Sequence, residues 1–261
     1  MKTEEIIASL DKEVIQTYEK AVALARAEGE DRDMKEAVKL MEQAALAGHP
    51  MAQCNMGFLL TIGDEIEVNH EKAAEWFQKA AELGVPQAMF NLARLHRVGS
   101  GVEADPQKSL ALLRQAASMG HPDSLHNLGI FHYAGEMGVE QDYKAAVVFF
   151  ENAAKAKHAP SLYSLGLCYS LGHGVEKDDA KAIQYYEDAA RIGDTNAAFN
   201  LGLYHYYGEG GLEVNKQRAK ELFGAAASYG HAKAQAAYSS IESNEEKPAD
   251  KEERNNPDNP G

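Results

Sequence analysis

The side chains in this sequence best suited to bind or transform something are ten histidines, two cysteines and one close pair of arginines, Arg94 and Arg97. The histidines recur in register: His96, His132 and His205 share a column with Leu60 and Tyr169, while His49, His121, His158 and His231 open four of the segments described below. A metal needs ligands that converge within a few ångströms, whereas equivalent positions in neighbouring copies of a stacked unit stay apart. The histidines therefore read as core or turn residues, and no metal and no cofactor is expected. Cys54 and Cys168 lie three units apart, on helices that stack at roughly 8–10 Å per neighbour. That exceeds the roughly 7 Å reach of a disulfide, so both read as small buried thiols. The glycine pairs Gly99-Ser100-Gly101 and Gly172-His173-Gly174 resemble phosphate-binding turns. Each is followed by an aspartate at a helix start, which occupies the free N–H groups and repels an anion. Gly-x-Ser-x-Gly, His-Glu-x-x-His and P-loop signatures are all missing from the chain.

The elements that must position these residues come from one repeated unit. With the glycine of Asn127-Leu128-Gly129 as anchor, equivalents fall at Gly57, Ala93, Gly129, Gly166, Gly202 and Ser239, at intervals of 36, 36, 37, 36 and 37 residues. A second column, Asp33, Asn69, Asp105, Asp142, Asp178 and Asn215, keeps the same intervals, and two independent columns in one register mean internal repetition. Each unit reads as two helices. The first ends at Gly63, Gly99, Gly135, Gly172 or Gly208, where a left-handed residue closes the last turn. The Asp/Asn column caps the second, which carries a bulky step such as Phe149-Phe150 and a small step such as Ala153-Ala154. That helix ends at Gly48, Gly84, Gly120, Gly193 or Gly230, with Lys157 as an exception whose turn is expected to be made differently.

In chain order, residues 1–12 read as a helical cap running into the first unit, followed by units at 13–48, 49–84, 85–120, 121–157, 158–193 and 194–230. Residues 231–241 read as a closing helix and 242–261, rich in charge, Asn and Pro, as a disordered acidic tail. A formal charge of −14 argues against nucleic acid and anionic membrane as partners. The chain shows no apolar run of membrane-spanning length and no leader-like start, so the cytoplasm is the expected compartment, with secretion by a leaderless route compatible with the same sequence.

The strings Asn200-Leu201-Gly202-Leu203-Tyr204 and Gly172-His173-Gly174-Val175-Glu176-Lys177-Asp178, followed by Lys181-Ala182, Tyr185-Tyr186, Ala189-Ala190 and Gly193, closely resemble the Sel1-like repeat, a branch of the tetratricopeptide-like helical hairpins. The resemblance covers about residues 13–241. It implies an all-α fold, an α/α solenoid wound as a right-handed superhelix of about six repeats, with the first helix of each lining a concave face. It also implies a non-enzymatic scaffold or adaptor for other proteins. The alternative is an enzyme or small-molecule binder of the β-lactam or cell-wall type associated with cysteine-rich relatives. Those relatives carry paired cysteines in each repeat, and this chain does not.

Within that frame the candidate partner-binding residues are Asn55, Phe58, Phe90, Asn91, Arg94, Arg97, Asn127, Tyr133, Tyr163, Phe199, Asn200 and Tyr206. The Asn column offers both a donor and an acceptor to the backbone of an extended peptide, and the aromatic columns offer pockets for its side chains. The same asparagines could instead bridge adjacent helices. Arg94 and Arg97, one turn apart, could hold a partner's carboxylate in bidentate fashion or pair with acids of the chain itself.

Overall fold

The structure, a computed structural model, describes residues 3–29 and 32–242. Fourteen α-helices and no strand occur among them: α1 (Thr3–Ala8), α2 (Lys12–Arg26), α3 (Met34–Leu46), α4 (Pro50–Ile62), α5 (His70–Glu82), α6 (Pro86–Val98), α7 (Pro106–Ser118), α8 (Pro122–Ala134), α9 (Tyr143–Ala154), α10 (Ala159–Leu171), α11 (Asp179–Arg191), α12 (Thr195–Tyr207), α13 (Lys216–Ser228) and α14 (Ala232–Glu242). The fold is an all-α, α/α solenoid of helical hairpins. It divides into two compact units, Met1–Ser124 and Leu125–Gly261. In the first, α2 pairs with α3, α4 with α5 and α6 with α7, and each hairpin packs on the next through α3 against α4 and α5 against α6. In the second, α10 pairs with α11 and α12 with α13, while α9 packs on α10, α11 on α12 and α14 on α13. The tail expected beyond Glu242 lies outside the described residues.

Helix starts follow from local side-chain chemistry. In all six second helices the Asp/Asn column does what its position requires: Asp33, Asn69, Asp105, Asp142, Asp178 and Asn215 each accept a hydrogen bond from the backbone N–H three residues on, at 2.9–3.0 Å. Each such cap contributes about 1 kcal/mol. The N–H of the capping residue donates backward to a carbonyl of the first helix in the pairs Asn69–Leu60, Asp105–His96, Asp142–His132, Asp178–Tyr169 and Asn215–His205, which closes the loop.

The anchor glycine has a steric role. A Cβ at Gly57, Gly129, Gly166 or Gly202 would lie 2.7, 2.4, 2.4 or 2.5 Å from a ring carbon of Phe77, Phe150, Tyr186 or Phe223. Those rings are buried to within 2 % exposure, so no space exists into which they could retreat. The third repeat makes the opposite choice on both helices: Ala93 replaces the glycine and the smaller Leu113 stands where the others have an aromatic ring, and both are buried.

A different contact fixes one repeat on another. Gly101 and Gly174 adopt φ of +68° and +74°, and a Cβ there would come within 2.5 Å of the backbone of His70 and Tyr143, respectively. The second glycine of each Gly-x-Gly loop thus rests on the first turn of the second helix in the preceding repeat.

Two expectations require correction. Lys157 makes the same left-handed turn as the glycines, with φ 55°, so side-chain bulk at that position is tolerated at the cost of strain. The N-terminal helix does not run into the first repeat. It breaks between Ala8 and Lys12, where the Ser9 hydroxyl bonds the Ile6 carbonyl and Asp11 takes extended ψ before α2. Helix α1 packs instead against α4, and the Thr3 hydroxyl lies 3.1 and 2.9 Å from the carbonyls of Leu83 and Gly84 at the end of α5.

Candidate functional site

The residues with chemical potential are largely used by the fold. His49, His121 and His231 are helix N-caps: Nδ1 of each accepts the backbone N–H three residues on, at 3.3, 3.3 and 3.0 Å. His121 and His231 pair their other nitrogen, Nε2, with the side-chain oxygens of Gln87 and Asn196, both at 3.1 Å, which sets the neutral tautomer with the proton on Nε2. Burial holds His49 and His231 below the usual histidine range, which suits an acceptor role. His158 takes a related part, with Nδ1 2.9 Å from the Ser161 hydroxyl. Among the described residues no three His, Cys, Asp or Glu side chains gather as a metal site would require. Cys54 and Cys168 are free and buried, and burial pushes both thiols up to about 12, far from a reactive thiolate.

The candidate groove residues fall into two groups. Asn55, Phe58, Phe90, Asn91, Arg94 and Arg97 lie on α4 and α6, which pack against each other in the first unit. Here Phe58 is 51 % exposed, and Arg94 and Arg97 are exposed, while Asn91 is buried beside Gln87, whose Nε2 lies 3.5 Å from its Oδ1. Neither arginine makes an ion pair or hydrogen bond among the described residues, so pairing with the chain's own acids does not occur there. Sequence reasoning missed Ile62 and Val98, which are 52 % and 66 % exposed. They sit one turn beyond Phe58 and Arg94, a spacing that could have revealed them.

In the second unit Asn127 and Tyr133 are on α8, Tyr163 on α10, and Phe199, Asn200 and Tyr206 on α12. Phe199, Asn200 and Tyr206 are buried. Phe199 stacks on His231 with centroids 4.9 Å apart and meets Phe223 at 5.5 Å. Tyr133 bonds Nδ1 of His173 at 2.8 Å and meets Tyr143 edge-on. Burial drives the Tyr163 hydroxyl up to about 12, and the Asn200 side chain works against that shift. The same relation recurs in the first unit, where burial raises the Tyr18 hydroxyl and the Asn55 side chain opposes the shift. Tyr18 and Tyr163 occupy one repeat position and Asn55 and Asn200 the position one residue on in the following repeat, so these asparagines sit beside the first helix of the preceding repeat.

Six consecutive stretches, residues 19–49, 50–85, 86–121, 122–158, 159–194 and 195–231, match the Sel1 repeat. The chain belongs to the Sel1 repeat family. Sel1 repeat proteins are generally non-catalytic scaffolds for protein interaction. Solved structures agree on the fold. The protective antigen c5321 of uropathogenic Escherichia coli, described as having an SLR fold, superimposes with a TM-score of 0.75 at 27 % identity over 92 % of this chain and 50 % of its own. A Sel1 repeat protein from Oxalobacter formigenes gives a TM-score of 0.78 at 27 % identity, over 87 % of this chain and 65 % of its own. A Sel1 repeat protein from Klebsiella pneumoniae gives 0.51 at 25 % identity, over 78 % and 99 %. This Sel1 repeat chain thus spans half of the first relative's length and under two thirds of the second's. No curated protein matches it by sequence. No described helix is long and apolar enough to cross a membrane.

Proposed function

We propose that this Sel1 repeat protein is a non-enzymatic adaptor that binds a segment of another protein on the first-helix face of its repeats, with α4 and α6 as the working surface. One observation carries this reading: Phe58, Ile62 and Val98 stand half or more exposed on two packed helices whose other apolar side chains are mostly buried. Clustered exposed apolar groups on an otherwise closed stack favour a partner that covers them. Arg94, Arg97, Phe90, Asn55 and Asn91 lie on the same two helices. The net charge of −14 favours a protein over nucleic acid or anionic lipid. Two free thiols suit a reducing compartment, and we place the protein in the cytoplasm. On this reading Tyr133, Tyr163, Phe199, Asn200 and Tyr206, with Asn127, hold the second unit's stack in shape for whatever docks nearby.

The test compares full-length wild type, Phe58→Ser plus Ile62→Ser, and Val148→Ser as an exposed control on a second helix, all used to capture proteins from lysate after melting curves confirm folding. Partners held by wild type and the control but lost by the double variant are expected. Equal capture by all three would move the working surface away from α4 and α6.

A further inference from the structure

The exposed surface of α4 and α6 has a charge signature that narrows what can occupy it. Neither helix contains an aspartate or glutamate, although the chain holds forty. The two arginines, Arg94 and Arg97, stand one turn apart, exposed and without an ion pair among the described residues. In a molecule of net charge −14, two exposed cations on helices that carry no acid of their own form a local positive patch, and apolar groups flank it. Phe58 and Arg94 occupy equivalent positions on the two packed helices, as do Ile62 and Val98, so the cations and the apolar side chains share one face. Guanidinium groups one turn apart suit carboxylates, to which each presents a planar fork of N–H donors. Phe58, Ile62 and Val98 call for bulky apolar side chains beside those carboxylates.

A segment of this composition already packs on α4, although its acids make no ion pair with either arginine. Helix α1 carries Glu4, Glu5, Ile6 and Ile7, an acidic pair followed by an apolar pair, and it packs against α4 with both isoleucines half-buried. It has no fully buried residue and its hydroxyl contact is with the end of α5, which leaves Phe58 and Ile62 exposed.

We infer that the α4–α6 face is selective for a partner segment in which acidic side chains alternate with bulky apolar ones, held by Arg94 and Arg97 on one side and by Phe58, Ile62 and Val98 on the other. This inference rests on the adaptor reading above and deepens it. Electrostatic complementarity of this kind governs which partner is accepted and how fast it arrives more than how tightly it is finally held. Binding of such a segment weakens with salt because both cations are at the surface.

The experiment uses the full chain and three fluorescein-labelled twelve-residue peptides, composed of leucine and glutamate, leucine and glutamine, or serine and glutamate, with binding read by anisotropy at low and high sodium chloride. The expected result is saturable binding of the leucine–glutamate peptide, with each of the other two about tenfold weaker or more. Replacement Arg94→Gln plus Arg97→Gln, checked by its melting curve, then brings the leucine–glutamate peptide to the level of leucine–glutamine and removes its salt dependence. Leucine–glutamine binding as tight as leucine–glutamate would overturn the inference and leave the adaptor reading in place. So would leucine–glutamate binding that is unchanged in the arginine variant. Absence of saturable leucine–glutamate binding overturns it as well, and the adaptor reading is then judged separately by the Phe58 and Ile62 capture experiment.

Discussion

Replacing Gly202 with alanine tests the packing rule of the repeat, because the sequence contains its own control. The new Cβ would stand 2.5 Å from Cε1 and 2.8 Å from Cδ1 of Phe223, a ring that is 0 % exposed and braced by Phe199. Ordinary contact begins near 3.4 Å, so the ring must move by almost 1 Å in a filled space. Overpacking of that size costs about 1–3 kcal/mol. Alanine returns up to about 1 kcal/mol through its better helix propensity. The balance is a loss of about 1–2 kcal/mol. The pair Ala93 and Leu113 shows the remedy, and Phe223→Leu should open the space that the added methyl group needs. In that background Gly202→Ala is expected to be neutral or to stabilise by up to about 1 kcal/mol, giving a coupling of about 1–3 kcal/mol between the two sites. Urea unfolding of the four proteins, followed by circular dichroism, measures the cycle. Equal effects of Gly202→Ala in both backgrounds would refute the idea that aromatic bulk dictates glycine at this position.

Three further outcomes follow from particular contacts. Gly174→Ala places a Cβ 2.3 Å from the Tyr143 carbonyl oxygen at φ +74° and should lower stability more than Gly202→Ala, since backbone yields less readily than a ring; the same urea titration decides it. Lys157→Gly relieves a left-handed residue at φ 55° and should raise the unfolding free energy by about 0.5–1 kcal/mol after the entropy of the unfolded glycine is subtracted, again read by urea titration. Burial lowers the folded-state pKa of His49, His173, His205 and His231 below 6.5. The unfolded chain therefore takes up these protons first, and stability should be complete above about pH 6.5 and fall as the pH drops below it. Asp194, whose pKa is raised chiefly by burial, acts in the opposite sense, but only nearer the carboxylate range. Thermal melts that are flat between about pH 7.5 and 5 would contradict the neutral, hydrogen-bond-accepting histidine caps.

What could be read from the sequence depended on how local the physics was. The caps at Asp33, Asp105 and Asp178 act within three residues, so residue type and spacing sufficed. The glycine at the end of each first helix was equally legible, because its conformation is set by its own φ. Lys157 was misread for a related reason: sequence shows that a glycine is missing but not that a lysine will accept strain in its place. The break after α1 was hidden because its contacts are with α4 and the end of α5, some eighty residues along the chain. At the candidate site the columns were in correct register, yet exposure differs between their members. Phe58 is open where its equivalent Leu203 is buried, and that difference depends on which side chains the neighbouring helices present. Asn55 and Asn200 lie close enough to Tyr18 and Tyr163 to oppose the rise in their pKa, a proximity that requires knowing that residues 37 positions apart in the chain face each other.

The seating of Gly101 on His70 and of Gly174 on Tyr143 gives the stack a direction. Each of these two loops is received by a helix that precedes it in the chain and so leaves the ribosome first, so that at these two joints growth of the polypeptide and growth of the fold run the same way. The same one-way fit means that a hairpin duplicated in tandem arrives with both the cradle its successor needs and the loop its predecessor accepts, which allows such an array to lengthen by whole repeats without a new joint being invented.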